Sequence, residues 1–167
     1  DRDVIENHLL MMKYAGVDGV LINWYGTYDL NDYRINRDNS EALIEMLDEV
    51  GLKYAIVYED RFLQNIVDAG LAPATVTAAK ADMAYMQNNY FNDAEYIKID
   101  GKPLLLNFGP ITLTSPDNWT NAFANLNPKP HFLTLWYESA EAGANAAGEY
   151  SWVYQDNTHI SNFYANR

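Results

Sequence analysis

Two acids stand out because of what precedes them. Glu59 closes the apolar run Tyr54-Ala55-Ile56-Val57-Tyr58 and is followed at once by Asp60 and Arg61. Glu138 closes a second such run, "HFLTLWYE", residues 131 to 138. A carboxylate carried by a buried strand to its end is placed for general acid, general base or nucleophilic work. Two of them on one rim are what glycosidic cleavage asks for, about 5–5.5 Å apart in retaining enzymes and about 6.5–9.5 Å apart in inverting ones. Glu59 and Glu138 are therefore the catalytic candidates. The simpler reading of Glu59 is a rim ion pair with Arg61.

The same strand ends collect amides and aromatic rings: Asn23, Trp24 and Tyr25; Tyr58 and Asp60; Asn107 and Phe108; Trp136 and Tyr137; Trp152, Tyr154 and Gln155. Carboxylates and amides bind hydroxyls, and rings stack on the apolar face of a pyranose. Asn23, Trp24, Tyr25, Tyr58, Asp60, Asn107, Trp136, Tyr137, Trp152 and Tyr154 are thus expected to bind an oligosaccharide or polysaccharide substrate. The competing reading is that the rings cap the core and the acids are solvated.

These residues need a frame that brings strand ends together. Val4, Ile5, His8, Leu9 and Met12 recur at helical spacing, and a helix is expected over residues 3 to 15, stopped by Gly16. Further helices are expected over 39 to 51, capped by Asn39 or Ser40, over about 75 to 90 with Thr75 as cap, and over 115 to 126 with Ser115 as cap and Pro116 first. Continuous apolar runs at 19–26, 53–59, 102–109, 131–138 and 150–155 read as buried strands. An Asp100-Gly101 turn precedes the third strand. Alternation of helices with such strands means a parallel α/β sheet in one domain, residues 1–167. Both an open doubly wound sheet and a (β/α)8 barrel fit, and both place a site at the carboxyl ends of the strands. A complete barrel needs at least about 200 residues, so five strands in 167 residues indicate an incomplete one.

Composition narrows the partners. With 23 acids against 11 bases the formal net charge is −12, which disfavours nucleic acid and anionic membrane surfaces. No apolar run approaches the roughly 20 residues of a membrane-spanning helix, so no membrane insertion is expected. There are no cysteines, hence no thiol chemistry. The three histidines, His8, His131 and His159, form no metal-binding pair, and "DLNDYRINRDN", residues 29 to 39, lacks the Gly and terminal Glu of a calcium loop, so no metal is expected. No GxGxxG, P-loop or GxSxG motif is present, and Asn118-Trp119-Thr120 matches a glycosylation sequon inside an expected helix. The sequence opens at Asp1 without a signal-peptide pattern and reads as a processed protein or an excised piece.

Three stretches carry a family resemblance. "AGVDGVLINWYG" (15 to 26), "GLKYAIVYEDR" (51 to 61) and "YIKIDGKPLLLNFGP" (96 to 110) resemble, in order, stretches of the glycoside hydrolase family 99 enzymes and the related family 71. The resemblance covers most of residues 3 to 138. It implies a (β/α)8 barrel, endo-acting cleavage of α-mannosides or α-glucans, and no required metal; a glycoside hydrolase acting without a cofactor, secreted or periplasmic, is the resulting expectation. In family 99 it implies retention through a 1,2-anhydro sugar, assisted by the substrate's 2-hydroxyl. It carries Trp24, Tyr25, Glu59 and Asn107 over as pocket residues. The family's catalytic acids lie on a later strand, in a run resembling Asn-Glu-Trp-x-Glu that this sequence does not contain. The sequence thus resembles strands two to six of the barrel, and Glu138 has no family counterpart. The rival readings are a non-catalytic carbohydrate-binding domain with the same rim, and a domain whose acidic rim meets a protein partner.

Overall fold

The computed structural model describes residues 1–153 and 157–166; Tyr154 and Gln155 lie outside them. The strands are β1 Gly19–Trp24, β2 Lys53–Tyr58, β3 Lys98–Ile99, β4 Lys102–Asn107, β5 His131–Leu135 and β6 Gly148–Tyr150. The helices are α1 Arg2–Tyr14, α2 Tyr33–Val50, α3 Leu63–Asp68, α4 Thr75–Asn89, α5 Pro116–Ala122, α6 Ser139–Ala142 and α7 Asn157–Ala165.

The strands stand in sequence order, β1-β2-β4-β5-β6, and every neighbouring pair is parallel. A doubly wound sheet reverses its order at a switch point. None exists here, so the doubly wound alternative gives way to the order of a barrel wound in one direction. Among the described residues β1 and β6 are the two edges, so the arc is an incomplete barrel. β3 is a two-residue antiparallel partner of β4. Asp100 and Gly101 join them with φ of 52° and 75°, the two left-handed residues of a tight hairpin turn.

Period two along each strand separates two faces. Ile22, Trp24, Tyr54, Ile56, Tyr58, Leu105, Phe132 and Thr134 are buried on the side of the helices. The alternate positions form the inner face of the barrel, where Leu21 is 53% exposed and Asn23 is exposed. Trp24 packs among Tyr58, Tyr85 and Tyr90, and Trp119 among Phe123 and Phe132, so the densest aromatic packing lies between sheet and helices.

Several ends differ from expectation. α2 starts at Tyr33 behind Asp32, not at Asn39 or Ser40. The Ser40 hydroxyl donates instead to the Asn36 carbonyl one turn earlier, a mid-helix use of serine. Neither Thr75 nor Ser115 makes a side-chain cap; Ala74 and Ser115 precede their helices in extended backbone. The fifth strand of the sequence reading begins earlier, at Gly148, and ends at Tyr150.

Candidate functional site

The site is built outward from Glu59, which β2 delivers to the inner face at its carboxyl end. Glu59 is 7% exposed. One carboxylate oxygen accepts from the Asn23 amide at 3.0 Å, across the β1–β2 pair. The other lies 3.0 Å from the Arg61 Nε. Burial pushes the carboxyl up, while Arg61 and Asn23 pull it back toward the ionised form. The Arg61 guanidinium sits 5.1 Å from the Phe108 ring, a cation–π distance. Phe108 meets Trp152 edge-on at 4.8 Å, and Trp152 is 41% exposed. Tyr150, at the end of β6, donates to the Asn107 carbonyl at 3.2 Å. Burial and then the nearby Glu59 charge push its hydroxyl up. A carboxylate, an amide, a guanidinium and two rings therefore share one side of the strand ends.

Other expected site residues turn away from this face. Trp24 is wholly buried against the helices, because its position on β1 alternates with that of Asn23. It cannot stack on a ligand, which corrects its expected role. Tyr58 is buried too, its hydroxyl donating to Asp82 at 2.7 Å. Asp82, on α4, also accepts from the Thr27 N–H and hydroxyl, each at 2.8 Å, and so fastens the β1–α2 loop to the helix layer. Asp60 is wholly buried and accepts from the N–H groups of Ile111, Thr112 and Leu113 at 2.7–3.1 Å and from the Asn107 amide at 3.2 Å. Three consecutive N–H groups make an anion cradle, and the chain's own carboxylate fills it. A Cβ on Gly109 would lie 2.8 Å from the Asp60 carboxylate, so the loop needs glycine there. Asn107 is likewise buried, its amide donating to the Tyr58 carbonyl at 2.9 Å. For Tyr58, Asp60 and Asn107 burial replaces substrate contact with a structural role. Tyr25 is half-buried in a ring cluster with Phe62 and Tyr33.

Trp136 and Tyr137 stack on each other beyond β5, with ring centres 6.0 Å apart. Glu138 is half-buried at the start of α6. Among the described residues the polar partners of Glu59 are Asn23 and Arg61, not Glu138. Tyr154 lies outside the described residues. Among those residues no cluster of three or more His, Asp or Glu side chains is set to hold a metal ion.

The sequence reading left Arg61, Phe108 and Tyr150 out of the binding set. Arg61 and Phe108 were visible as strand-end neighbours. Tyr150 was hidden because its strand was placed too late.

No family model matches this sequence, and no curated protein matches it. Solved structures do. The chain superposes on the GH99 endo-alpha-mannosidase from Bacteroides thetaiotaomicron with a TM-score of 0.65 and 18% identity, over 94% of this chain and 45% of that one. It superposes on a glycoside hydrolase-like protein with a TM-score of 0.72 and 13% identity, over 99% of this chain and 55% of that one. The chain spans about half the length of these neighbours. It has a fold like that of glycoside hydrolase family 99, as a partial TIM barrel.

Proposed function

We propose that the inner strand ends form the sugar-binding wall of a glycoside hydrolase acting on α-linked glycans, with Glu59 as its carboxylate. The observation that carries this reading is the Glu59–Asn23–Arg61 group beside Phe108 and Trp152. Glu59 accepts from a sugar hydroxyl or supports positive charge at the reacting carbon, Asn23 donates to hydroxyls, and Trp152 offers its exposed ring. Tyr25, Trp136 and Tyr137 extend the rim. The fold likeness to an endo-alpha-mannosidase supports α-mannosides, with α-glucans as the second class. A secreted or periplasmic location suits a polymeric substrate; no described helix is long and apolar enough to cross a membrane.

The second carboxyl is the point on which cleavage turns. β2 and β5 are two strand spacings apart in the sheet, roughly 10 Å. That exceeds the about 5–5.5 Å of a retaining pair and lies near the upper limit for an inverting one. Glu138 therefore fits as the distant carboxyl of an inverting pair or as a hydroxyl-binding group, not as a retaining partner of Glu59. A non-catalytic glycan-binding domain is favoured by one observation: both Glu59 oxygens already have protein partners.

Calorimetric titration with α-mannobiose and maltose, alongside product analysis, tests the reading. Saturable binding of one disaccharide, weakened at least about tenfold in Glu59→Gln with an unchanged urea melt, is expected. Turnover lost in that variant supports the hydrolase; binding without turnover supports the binding domain. Binding of neither sugar overturns both.

A further inference from the structure

The amino ends of β4, β5 and β6 surround a cavity of about 250 Å³, at the pole of the barrel opposite Glu59. Lys102 reaches it from the start of β4, Lys129 and His131 from the lead into β5, and Phe123 from the end of α5. We infer that this cavity is a binding site for a phosphate group, held by Lys102, Lys129 and His131. The inference is independent of the glycan reading, because the length of β4 alone sets the two poles roughly 17 Å apart.

Charge comes first. With 23 acids against 11 bases, a cation in this protein rarely lacks a carboxylate nearby. Arg2, Lys53 and Arg61 lie 2.7–3.0 Å from carboxylates, and Lys13 and Lys98 donate to backbone carbonyls. Lys102 and Lys129 differ. Among the described residues neither has an ion-pair partner, and no Asp or Glu lines the cavity that both of them face. Two like charges around one space repel each other, and a bound anion removes that repulsion. The carboxyl end of α5 arrives at Phe123, and helix-end carbonyls attract lysines. Among the described residues neither ammonium donates to one.

The donors select the anion. Two ammonium groups and an imidazole offer two full charges and three donor groups. A phosphate monoester carries about −1.5 to −2 at pH 7 and presents three acceptor oxygens. A carboxylate brings one charge and two oxygens. Lys102 and Lys129 are exposed and His131 is half-buried, so two flexible ammonium groups close over an anion seated against the ring. Lysine meets phosphate in this way, as a mobile point charge. Asn145, also on the wall, adds no donor, because its amide already serves the Pro116 and Ala142 carbonyls.

Size and lining set the rest of the ligand. Sites for drug-sized ligands run to about 300–1,000 Å³, so this cavity takes a phosphate with a small organic group and not a polymer. The remaining wall is apolar: buried Phe123 and the alanines that precede β6. It suits the organic part of an ester.

Titration calorimetry with inorganic phosphate, glucose 6-phosphate and acetate provides the test, on the wild type and on Lys102→Gln, Lys129→Gln and Lys80→Gln. Lys80 lies on α4, exposed and outside the cavity. All three lysines are exposed, so unchanged urea melts are expected. Saturable binding of both phosphates and none of acetate is expected. Lys102→Gln and Lys129→Gln should each weaken it at least about tenfold, and Lys80→Gln should leave it unchanged. Glucose 6-phosphate bound more tightly than inorganic phosphate identifies an ester as the ligand; equal affinities identify the free ion, and either result supports the site. No saturable binding of either phosphate overturns it. So does acetate bound as tightly as phosphate, or phosphate binding that neither cavity variant weakens or that Lys80→Gln weakens as much.

Discussion

At the end of β2, Glu59 and Asp60 are neighbours in sequence and turn to different sides of the sheet. Asp60 enters the protein and satisfies three backbone N–H groups of the loop after β4. Glu59 faces inward to the barrel and meets side chains, Asn23 and Arg61. The same division repeats on β1, where Trp24 is wholly buried and Asn23 exposed. It repeats on β4, where Asn107 is buried under the loop and Phe108 meets Trp152. Rings and polar groups at strand ends thus occur on both faces, as scaffold on one and as candidate ligand contacts on the other. What separates them is parity along the strand, not residue type.

The sharpest way to break this comparison is to remove a ring from each face. Trp24→Ala is expected to destabilise the protein by about 3–5 kcal/mol, the range for truncating a large buried aromatic. A urea melt reads it, and glycan affinity of the folded fraction should stay unchanged. A mild effect on the melt with lost affinity would move Trp24 back to the site.

A second test uses Asp82 on the helix side. Burial pushes its carboxyl up to about 6, against the bonds from Tyr58 and Thr27 and the charge of Arg37, which favour ionisation. A carboxyl with a raised folded-state value binds protons more tightly when folded. Its stabilising contribution is therefore complete below about pH 4 and is lost as pH rises through about 6. The loss amounts to up to about 3 kcal/mol. Wild type minus Asp82→Asn, measured by denaturant melts from pH 4 to pH 8, should show this fall. A flat difference would contradict the assignment.

A third test makes the same chemical change on adjacent acids. Asp60→Asn turns an amide NH₂ toward backbone donors and is expected to lower stability by about 1–3 kcal/mol. Glu59→Gln disturbs a partly exposed pair and is expected to stay within about 1 kcal/mol while glycan affinity falls. Exchange of the two outcomes would reverse the faces. The smallest stability effect belongs to Trp152→Ala, within about 0.5 kcal/mol, and glycan affinity is again expected to fall.

The alternation of helices and apolar strands was legible because continuous apolar runs and helical spacing need no tertiary context. Helix ends stopped by glycine were legible too: Gly51, with φ 72°, closes α2 as expected. The start of α5 at Pro116 behind Ser115 was legible as well, but the start of α2 was not, because Tyr33–Asn39 joins it without a side-chain cap and reads as polar loop. The α3 helix went unread because it is only six residues long, Leu63–Asp68, and follows β2 directly after the single 3-10 turn Asp60–Phe62. At the site, Glu59 and Asn23 were found by type and place. Trp24, Tyr58 and Asn107 were misassigned because strand ends with rings and amides at both parities carry no sign of which face the helices cover. Tyr150 was lost to a strand placed two residues late at its start.

The four tryptophans distribute themselves across this division, Trp24 and Trp119 buried, Trp136 half-buried and Trp152 exposed. Fluorine NMR of the protein labelled with 5-fluorotryptophan, titrated with α-mannobiose and maltose, reads all four at once, with single Trp→Phe variants giving the assignments. The account predicts that the Trp152 resonance shifts saturably with one of the sugars while Trp24 and Trp119 stay in place. A shift at Trp24 with Trp152 unmoved, or four unmoved resonances at saturating sugar, would contradict it.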